Sequence, residues 1–222
     1  MGSIADNIRR ILEEIPGGVT LAAAAKSRSP AEVEEAIAAG VSVIGQNYLQ
    51  EAGSVRPLVR APARWHFIGH LQRRKVRAAL ELFDMIETLD SLKLAREIDR
   101  RAAELGRAMA VLIEVNSGRE PQKHGVFPED APALLEEVAE LPHLRVEGLM
   151  TMGPLTGDPE EARPYFVETR RLFERLGERL PGRARMEVLS MGMSNSYPVA
   201  VQEGATLIRV GTAIFGPRPA AV

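Results

Sequence analysis

The sequence contains no cysteine. This absence excludes disulfide bonds, thiolate metal sites and a cysteine nucleophile. Together with an amino terminus that does not resemble a signal peptide, it predicts a cytoplasmic protein. Long apolar runs are also lacking, since none approaches the roughly 20 residues that span a bilayer. We therefore expect no membrane partner.

Neither sign of charge dominates, because 28 Lys and Arg residues stand against 30 Asp and Glu residues and the net charge is −2. Basic and acidic side chains are mixed through the helical stretches, so no single-sign face indicates a nucleic-acid partner. A content of 45% hydrophobic and 26% charged residues is typical of a globular protein. We expect residues 1–222 to form one domain, and the protein to be a monomer.

Short apolar stretches recur along the chain and alternate with helical patterns. Helix starts include Ser29-Pro30-Ala31-Glu32 and Asp158-Pro159-Glu160-Glu161, which have the spacing of a capping box with Pro at the first helical position. The spacing of Ile4, Ile8 and Ile11 predicts an extra amino-terminal helix. The eight strand candidates lie around 19–25, 41–45, 64–68, 83–88, 108–115, 143–149, 184–189 and 206–210.

Strands that alternate with helices favour a parallel sheet, and eight such units in about 200 residues fit a (β/α)8 barrel of the TIM type. The main alternative is a doubly wound open sheet. That fold usually carries a phosphate loop of the form G-x-G-x-x-G or G-x-x-x-x-G-K-[ST] after an early strand, and neither pattern occurs here. The sequence therefore predicts an α/β barrel with an extra helix at its amino terminus.

Lys26 follows the first strand candidate, at the end where barrel folds place their chemistry. Strand alternation puts Ala22, Ala24 and Lys26 on one face, and the bulkier Val19 and Leu21 on the other. A lysine amine in this position is a candidate for attaching a carbonyl compound. Taken alone, the simpler interpretation is a lysine that extends from a strand into solvent.

Two segments of small residues follow the last two strand candidates. They are Ser190-Met191-Gly192-Met193-Ser194 and Gly211-Thr212-Ala213-Ile214-Phe215-Gly216. The corresponding loops of many barrels hold a phosphate group, and glycines let backbone N–H groups approach an anion. Arg209 precedes the second segment, and a guanidinium on a barrel strand needs an internal carboxylate or a ligand. An amine, an arginine and a phosphate pocket together fit pyridoxal 5'-phosphate (PLP).

With these features the chain resembles the pyridoxal phosphate homeostasis protein family, small relatives of the barrel half of bacterial alanine racemase. The resemblance runs from about Thr20 to Gly216. It rests on an ordered set of motifs: Ala25-Lys26, Gly45-Gln46-Asn47-Tyr48-Leu49-Gln50-Glu51, Trp65-His66-Phe67-Ile68-Gly69-His70-Leu71-Gln72, Asp90-Ser91, Val115-Asn116, Lys123-His124-Gly125, Gly148-Leu149-Met150-Thr151-Met152, Leu189-Ser190-Met191-Gly192-Met193-Ser194 and Arg209-Val210-Gly211-Thr212-Ala213-Ile214-Phe215-Gly216.

The resemblance implies a PLP-binding protein that buffers or delivers the cofactor inside the cell, with PLP-dependent apoenzymes as acceptors. It implies that Lys26 forms the internal aldimine and that Arg209 faces the pyridine nitrogen. The cofactor-binding residues that we predict are Lys26, Asn47, Ser190, Ser194, Arg209, Gly211 and Thr212.

Three positions depart from the family pattern. Gln46 stands where the family usually has Glu, and Asn195 where an acidic residue is common. Arg28 stands where a second lysine often follows the aldimine lysine. None of these changes removes a predicted cofactor contact, but the third bears on any transfer mechanism that relies on a second lysine.

Fast catalysis is not expected, and we predict no catalytic residues. An arginine can donate to the pyridine nitrogen but cannot protonate it as a carboxylic acid can, so the ring is a weaker electron sink. Alanine racemase also uses a tyrosine from a separate carboxyl-terminal domain of its partner subunit, whereas this chain stops soon after the eighth strand candidate. Two alternatives remain: a small amino-acid racemase or lyase that uses Lys26 and Tyr48 as opposed bases, and a phosphosugar isomerase without PLP.

The histidines do not predict a metal site. His66 and His70 are four residues apart, but on a strand and its following loop this spacing does not bring two imidazoles together. Core packing is expected for His66 and a loop hydrogen bond for His70. Lys123-His124-Gly125 is expected to shape the fifth loop, where Lys123 can attract an anion near the pocket mouth.

Overall fold

The architecture is a closed barrel of parallel strands surrounded by helices, seen in a computed structural model that describes residues 2–153 and 157–217. The strands pair in chain order, and β1 closes the barrel against β8. The eight strands of the described residues are β1 (Thr20–Ala24), β2 (Val43–Gln46), β3 (Arg64–Phe67), β4 (Met85–Leu89), β5 (Met109–Glu114), β6 (Leu144–Met150), β7 (Val188–Ser190) and β8 (Leu207–Val210). The predicted barrel is confirmed.

Helices follow the strands around the outside, and one precedes β1. Over the described residues they are α1 (Ile4–Glu14), α2 (Pro30–Ala38), α3 (Leu49–Val55), α4 (Val76–Leu82), α5 (Leu92–Glu104), α6 (Ala131–Ala139), α7 (Arg163–Gly177), α8 (Tyr197–Gln202) and α9 (Thr212–Phe215). The extra amino-terminal helix is therefore confirmed as α1, which buries Ile8 and Ile11. Within the same residues, no helix has the length and apolar character to cross a bilayer.

The predicted helix starts differ in their outcome. At α2 the capping box forms in full, since the Ser29 hydroxyl accepts from the Glu32 amide and the Glu32 carboxylate accepts from the Ser29 amide. At Asp158 the carboxylate instead accepts from Glu160 N at 2.9 Å, and a short 3-10 turn precedes α7. The side chain caps two residues ahead at that position, so the α-helix itself begins later.

Alternation along β1 separates two layers of the core. Leu21, Ala23 and Ala25 pack outward into the large cluster between barrel and helices. Ala22 instead packs inside the barrel with Val43 and Leu207. The face that we assigned to Lys26 in the sequence is thus the inner face, and it leads to the mouth formed by the carboxyl ends of the strands.

Candidate functional site

A pocket of about 430 Å³ opens among the loops that follow β1, β2, β3, β6, β7 and β8. Its volume lies in the range of small-ligand sites. Its lining is mixed: one amine, two guanidinium groups, hydroxyl and amide groups, and apolar side chains. The residues are Ala24, Lys26, Arg28, Asn47, Ile68, Met152, Met193, Ser194, Asn195, Arg209, Gly211 and Thr212.

Lys26 reaches the pocket because β1 is held by both neighbours up to its end. Ala25 N donates to Gly45 O at 2.9 Å, and the next side chain returns to the inner face. Its amine donates to the Tyr48 hydroxyl at 2.9 Å and lies 4.6 Å from the centre of that ring. The Tyr48 side chain, on the loop after β2, is 45% exposed. The amine is thus oriented by one neighbour and open to a ligand.

Gln46 holds the backbone at Ala25, the residue before Lys26. Its amide Nε2 donates to Ala25 O at 3.0 Å, and the residue is fully buried. An ionised glutamate at this position has no proton to donate. The departure from the family pattern at Gln46 therefore gives the residue before Lys26 a hydrogen bond that a carboxylate cannot make.

The loops after β7 and β8 meet at one hydroxyl group. Ser194 Oγ accepts from Gly211 N at 3.1 Å and from Ala213 N at 3.2 Å. Because these amides occupy the oxygen as an acceptor, the hydroxyl proton is what Ser194 can offer to a ligand. Thr212 lies beside it with an exposed side chain. The two predicted segments therefore bring the Ser194 and Thr212 hydroxyl groups together as donors suited to an anion.

Gly192 permits the tight turn between β7 and Ser194. Its φ is +91°, a region that other residues rarely adopt, and an added Cβ would lie 2.5 Å from the Ala200 Cβ. A second glycine, Gly69, allows the loop after β3 to approach the loop after β2, since an added Cβ would lie 2.2 Å from Asn47 O. The position of Asn47 at the pocket wall depends on this contact.

Arg209 is 4% exposed and lies at the floor of the pocket. One guanidinium nitrogen donates to the Ser190 hydroxyl, and the other donates to Thr151 O at 2.8 Å. The first nitrogen also lies 3.9 Å from Glu87 Oε2, which accepts from Ser190 Oγ at 2.6 Å. Arg209 therefore has the internal carboxylate that the sequence allowed, and it also lines the pocket.

Ser190 differs from the other predicted cofactor residues. It is fully buried and bonded to Arg209 and Glu87, and it is absent from the pocket lining. The other six predicted residues, Lys26, Asn47, Ser194, Arg209, Gly211 and Thr212, all line the pocket.

Glu87 is the charged centre beneath the pocket. Its Oε1 lies 2.7 Å from His66 Nδ1. Burial would raise the pKa of this carboxyl, but the hydrogen bond and charge of His66, the Arg209 charge and the Ser190 hydroxyl together hold it below its ordinary value. Burial also lowers the pKa of Arg209, opposed by the charges of Glu87 and Glu114. Arginine remains protonated throughout the accessible pH range, so the pair is ionic.

Glu87 and Thr151 were missed in the sequence. A signal for the first was present, since a glutamate within the apolar run Met85-Ile86-Glu87-Thr88-Leu89 must have a buried partner. Thr151 contributes to Arg209 only through its backbone oxygen, and residue type carries no information about such a contact.

Arg28 is held rather than mobile. Its guanidinium donates to Gly216 O at 2.7 Å and Pro217 O at 3.0 Å, and it pairs with Glu32 at 3.2 Å. Only 8% of the residue is exposed. In place of a flexible second lysine, this chain has a planar group that fixes the segment after α9 against α2.

The expectations for the histidines are met in part. His66 is buried against Glu87, so its predicted core position is correct. His70 pairs with Asp90 at 3.6 Å, longer than a hydrogen bond, and stacks on His124. Lys123, which we expected near the pocket mouth, lies 2.5 Å from Glu120 and 3.4 Å from Gly153 O. These side chains lie at the ends of β3, β4 and β5, next to the pocket.

Glu114 ends β5 and is 5% exposed. Burial, assisted by the Asp90 charge and opposed by the Arg209 charge, raises the pKa of this carboxyl to about 7. Its Oε2 is buried without a hydrogen-bond partner among the described residues. It lines a small second cavity together with His124 and Met152, and Met152 also lines the main pocket.

Comparison with known proteins places this geometry in a family. Residues 1–219 match the family model described as alanine racemase, N-terminal domain. A pyridoxal phosphate homeostasis protein of Pseudomonas aeruginosa is 38% identical, with 98% of this chain and 97% of that protein covered. One from Aquifex aeolicus is 41% identical, with 89% and 86% covered.

Among solved structures, PipY of Synechococcus elongatus PCC7942, with PLP bound, superposes with a TM-score of 0.89. It is 37% identical, and the match covers 96% of this chain and 100% of PipY. The family model spans residues 1–219, which include every loop that lines the pocket.

Proposed function

The chain belongs to the alanine racemase N-terminal domain family, among the pyridoxal phosphate homeostasis proteins, and we propose that it binds PLP on Lys26 and buffers or delivers this cofactor. The observation that carries the proposal is the convergence in one pocket of the Lys26 amine, the Arg209 guanidinium and the donors around Ser194. The match to PipY with PLP bound covers 96% of this chain.

The residues present fit the cofactor. Bound PLP supplies an aldehyde carbon to which an amine can be attached, and Lys26 offers the amine. Ser194 and Thr212 offer hydroxyl protons to the phosphate beside the amides of Gly211 and Ala213. Arg209 offers its charge to the ring from the pocket floor. Asn47 forms part of the opposite wall with Ile68.

The same groups favour a carrier over a fast enzyme. Arg209 stays protonated and can only donate to a ring nitrogen, which limits electron withdrawal by the ring. Racemisation needs acid/base groups on opposite faces of a substrate, but the Tyr48 hydroxyl lies 2.9 Å from Lys26 Nζ. The two groups that a racemase would use as opposed bases are thus in contact with each other.

Borohydride reduction of the PLP-loaded protein, followed by peptide mass mapping, tests the attachment point. We expect the label on the peptide that contains Lys26, and its loss in Lys26→Ala. Lys123→Ala is the matched control, because it removes the amine that lies in the neighbouring cavity and should leave the label unchanged. A label on another lysine, or a colourless protein that yields no reduced adduct, would refute the proposal. The colourless result is expected of a phosphosugar isomerase.

The phosphate site has a separate test. We expect the wild-type protein to bind PLP much more tightly than pyridoxal, which lacks the phosphate. In Ser194→Ala the preference should decrease, since the variant loses a hydroxyl donor and the acceptor that holds Gly211 and Ala213. A preference that Ser194→Ala leaves unchanged would place the phosphate elsewhere.

Incubation of the PLP-loaded protein with pure D- and L-amino acids distinguishes a carrier from the alternative of a racemase or lyase. We expect no more conversion than free PLP produces with the same amino acids. Conversion well above that background, abolished in both Lys26→Ala and Tyr48→Phe, would establish the alternative instead.

The wider role follows from the carrier function. We propose that residues 1–222 act as one PLP-binding domain, as a cytoplasmic monomer that passes PLP to apoenzymes. Mixing the loaded protein with a PLP-dependent apoenzyme should restore the activity of that enzyme. We expect the restoration to be faster than the restoration by the free PLP that dilution alone releases from the loaded protein. Equal rates would limit the role to buffering, and size-exclusion chromatography checks the oligomeric state.

A further inference from the structure

Two histidines and an aspartate converge beside the cofactor pocket, and nothing in the proposed PLP site uses them. His70 follows β3, Asp90 follows β4, and His124 lies in the loop after β5. One nitrogen or oxygen from each residue lies within 4.8 Å of the others. We propose that His70, Asp90 and His124 bind a divalent transition-metal ion of the Zn²⁺ class.

The distances are close to those of a bound site. Asp90 Oδ2 lies 3.6 Å from His70 Nδ1 and 4.0 Å from His124 Nδ1. Two ligands about 2.0–2.2 Å from a tetrahedral ion are separated by about 3.4 Å. The His70 separation is thus about 0.2 Å longer than that of a bound pair and the His124 separation about 0.6 Å longer.

One side chain must turn for the ion to enter. The two imidazole rings are stacked, with centroids 3.6 Å apart and planes 9° apart. Parallel stacked rings cannot both point a nitrogen lone pair at one ion. The His124 side chain is 53% exposed, and rotation of an imidazole about its Cβ–Cγ bond is soft. His124 is therefore the ligand that adjusts, while Asp90, 17% exposed, is the fixed point.

The surroundings favour a cation over an empty cluster. The Asp90 carboxylate lies beside both imidazole rings, and imidazole binds metals in its neutral form. Glu114 has an unpartnered, buried carboxyl oxygen and lines the same cavity as His124. Glu114 thus places a further oxygen atom, unpaired among the described residues, in the cavity that His124 lines.

The ligand set selects the ion. Imidazole nitrogen suits Zn²⁺, Cu²⁺, Ni²⁺ and Fe²⁺, whereas Mg²⁺ and Ca²⁺ prefer oxygen ligands alone. Two histidines with one carboxylate leave at least one coordination position open to water. An ion there would join the loops after β3, β4 and β5 at the edge of the PLP pocket.

Calorimetric titration of the PLP-loaded protein with Zn²⁺, in a buffer that does not chelate it, tests the site. We expect one ion per chain. Losing an outer-sphere partner of a ligand costs about 10–100-fold in affinity, so loss of a ligand in His124→Gln or Asp90→Asn should cost at least about 100-fold. His124→Gln changes an exposed side chain, which keeps the test valid if Asp90→Asn does not fold.

His143→Gln is the matched control. His143 also faces a carboxylate, at 3.4 Å from Asp99 Oδ1, but it belongs to no group of three ligands among the described residues. It should bind Zn²⁺ as the wild-type protein does. In crystals soaked with Zn²⁺, the anomalous peak should lie about 2.0–2.2 Å from all three ligand atoms. No binding by the wild-type protein, binding that persists in both ligand variants, or a peak elsewhere would overturn the proposal.

Discussion

Arg209 and Glu87 lie 3.9 Å apart inside the barrel, where each is almost wholly removed from water. The two residues are on β8 and β4, on different sides of the closed sheet. Ser190 on β7 bonds to both and links them. The guanidinium that lines the pocket is thus held in place by side chains of three strands.

Glu87→Gln should destabilise the protein strongly. The substitution keeps the size of the side chain but leaves Arg209 without its counter-charge, and breaking a buried ion pair by removing one partner costs about 3–5 kcal/mol. Urea unfolding followed by circular dichroism measures the free energy. Glu81→Gln is the control, since Glu81 pairs with Arg77 on the surface at 3.5 Å and should change stability little. Equal effects of the two substitutions would contradict a strong role for the buried pair.

The same carboxyl predicts a pH dependence. Since the pKa of Glu87 is lower in the folded protein than in the unfolded chain, its contribution to stability is present above the ordinary value of 4.5 and is lost as pH falls through the folded pKa. The wild-type protein should therefore lose stability faster than Glu87→Gln on acidification below about pH 4.5. Unfolding curves collected at a series of acidic pH values compare the two proteins. Parallel pH profiles would show that Glu87 titrates alike in both states.

Gly69→Ala should distort the pocket wall. The new Cβ would lie 2.2 Å from the backbone oxygen of Asn47, and a backbone atom cannot yield as a flexible side chain does. We expect a loss of about 1–3 kcal/mol, typical of overpacking, together with weaker PLP binding because Asn47 is displaced. Gly17→Ala is the control, with no atom within 4 Å of the added carbon. Unfolding and PLP titrations of both variants measure the effect, and a Gly69→Ala protein as stable as Gly17→Ala would show that the loops can separate freely.

Sequence reasoning predicted the barrel because its signals are local and periodic. Each apolar stretch and each helix start, such as Ser29 with Glu32, can be read within a few residues. The prediction that Lys26 shares a strand face with Ala22 and Ala24 followed from alternation along one strand. These features depend on neighbours in the chain, and the sequence displays such neighbours directly.

The residues that hold the site together were harder to predict from the sequence, for a physical reason. Glu87 and Arg209 are separated by many residues and meet only because the sheet closes. His70 and His124 stack on each other although β4 and β5 lie between them in the chain. No fixed sequence spacing therefore predicts the cluster that they form with Asp90. Ser190 was predicted at the cofactor, but at the end of the short β7 its buried hydroxyl bonds to Glu87 and Arg209 and does not line the pocket.

Tyr48→Phe should leave PLP attached to Lys26 and change its affinity by less than about tenfold. The phenol accepts a hydrogen bond from the Lys26 amine at 2.9 Å, but the Tyr48 side chain is 45% exposed, so water can replace it. A net contribution of about 0.5–1.5 kcal/mol for one hydrogen bond corresponds to roughly a two- to tenfold change. Spectroscopic PLP titration measures this change, with Tyr165→Phe on α7 as the control. A loss of the attached cofactor in Tyr48→Phe would contradict this expectation. It would mean that the tyrosine positions the amine for attachment, so that the amine and the phenol act together as they would in an enzyme.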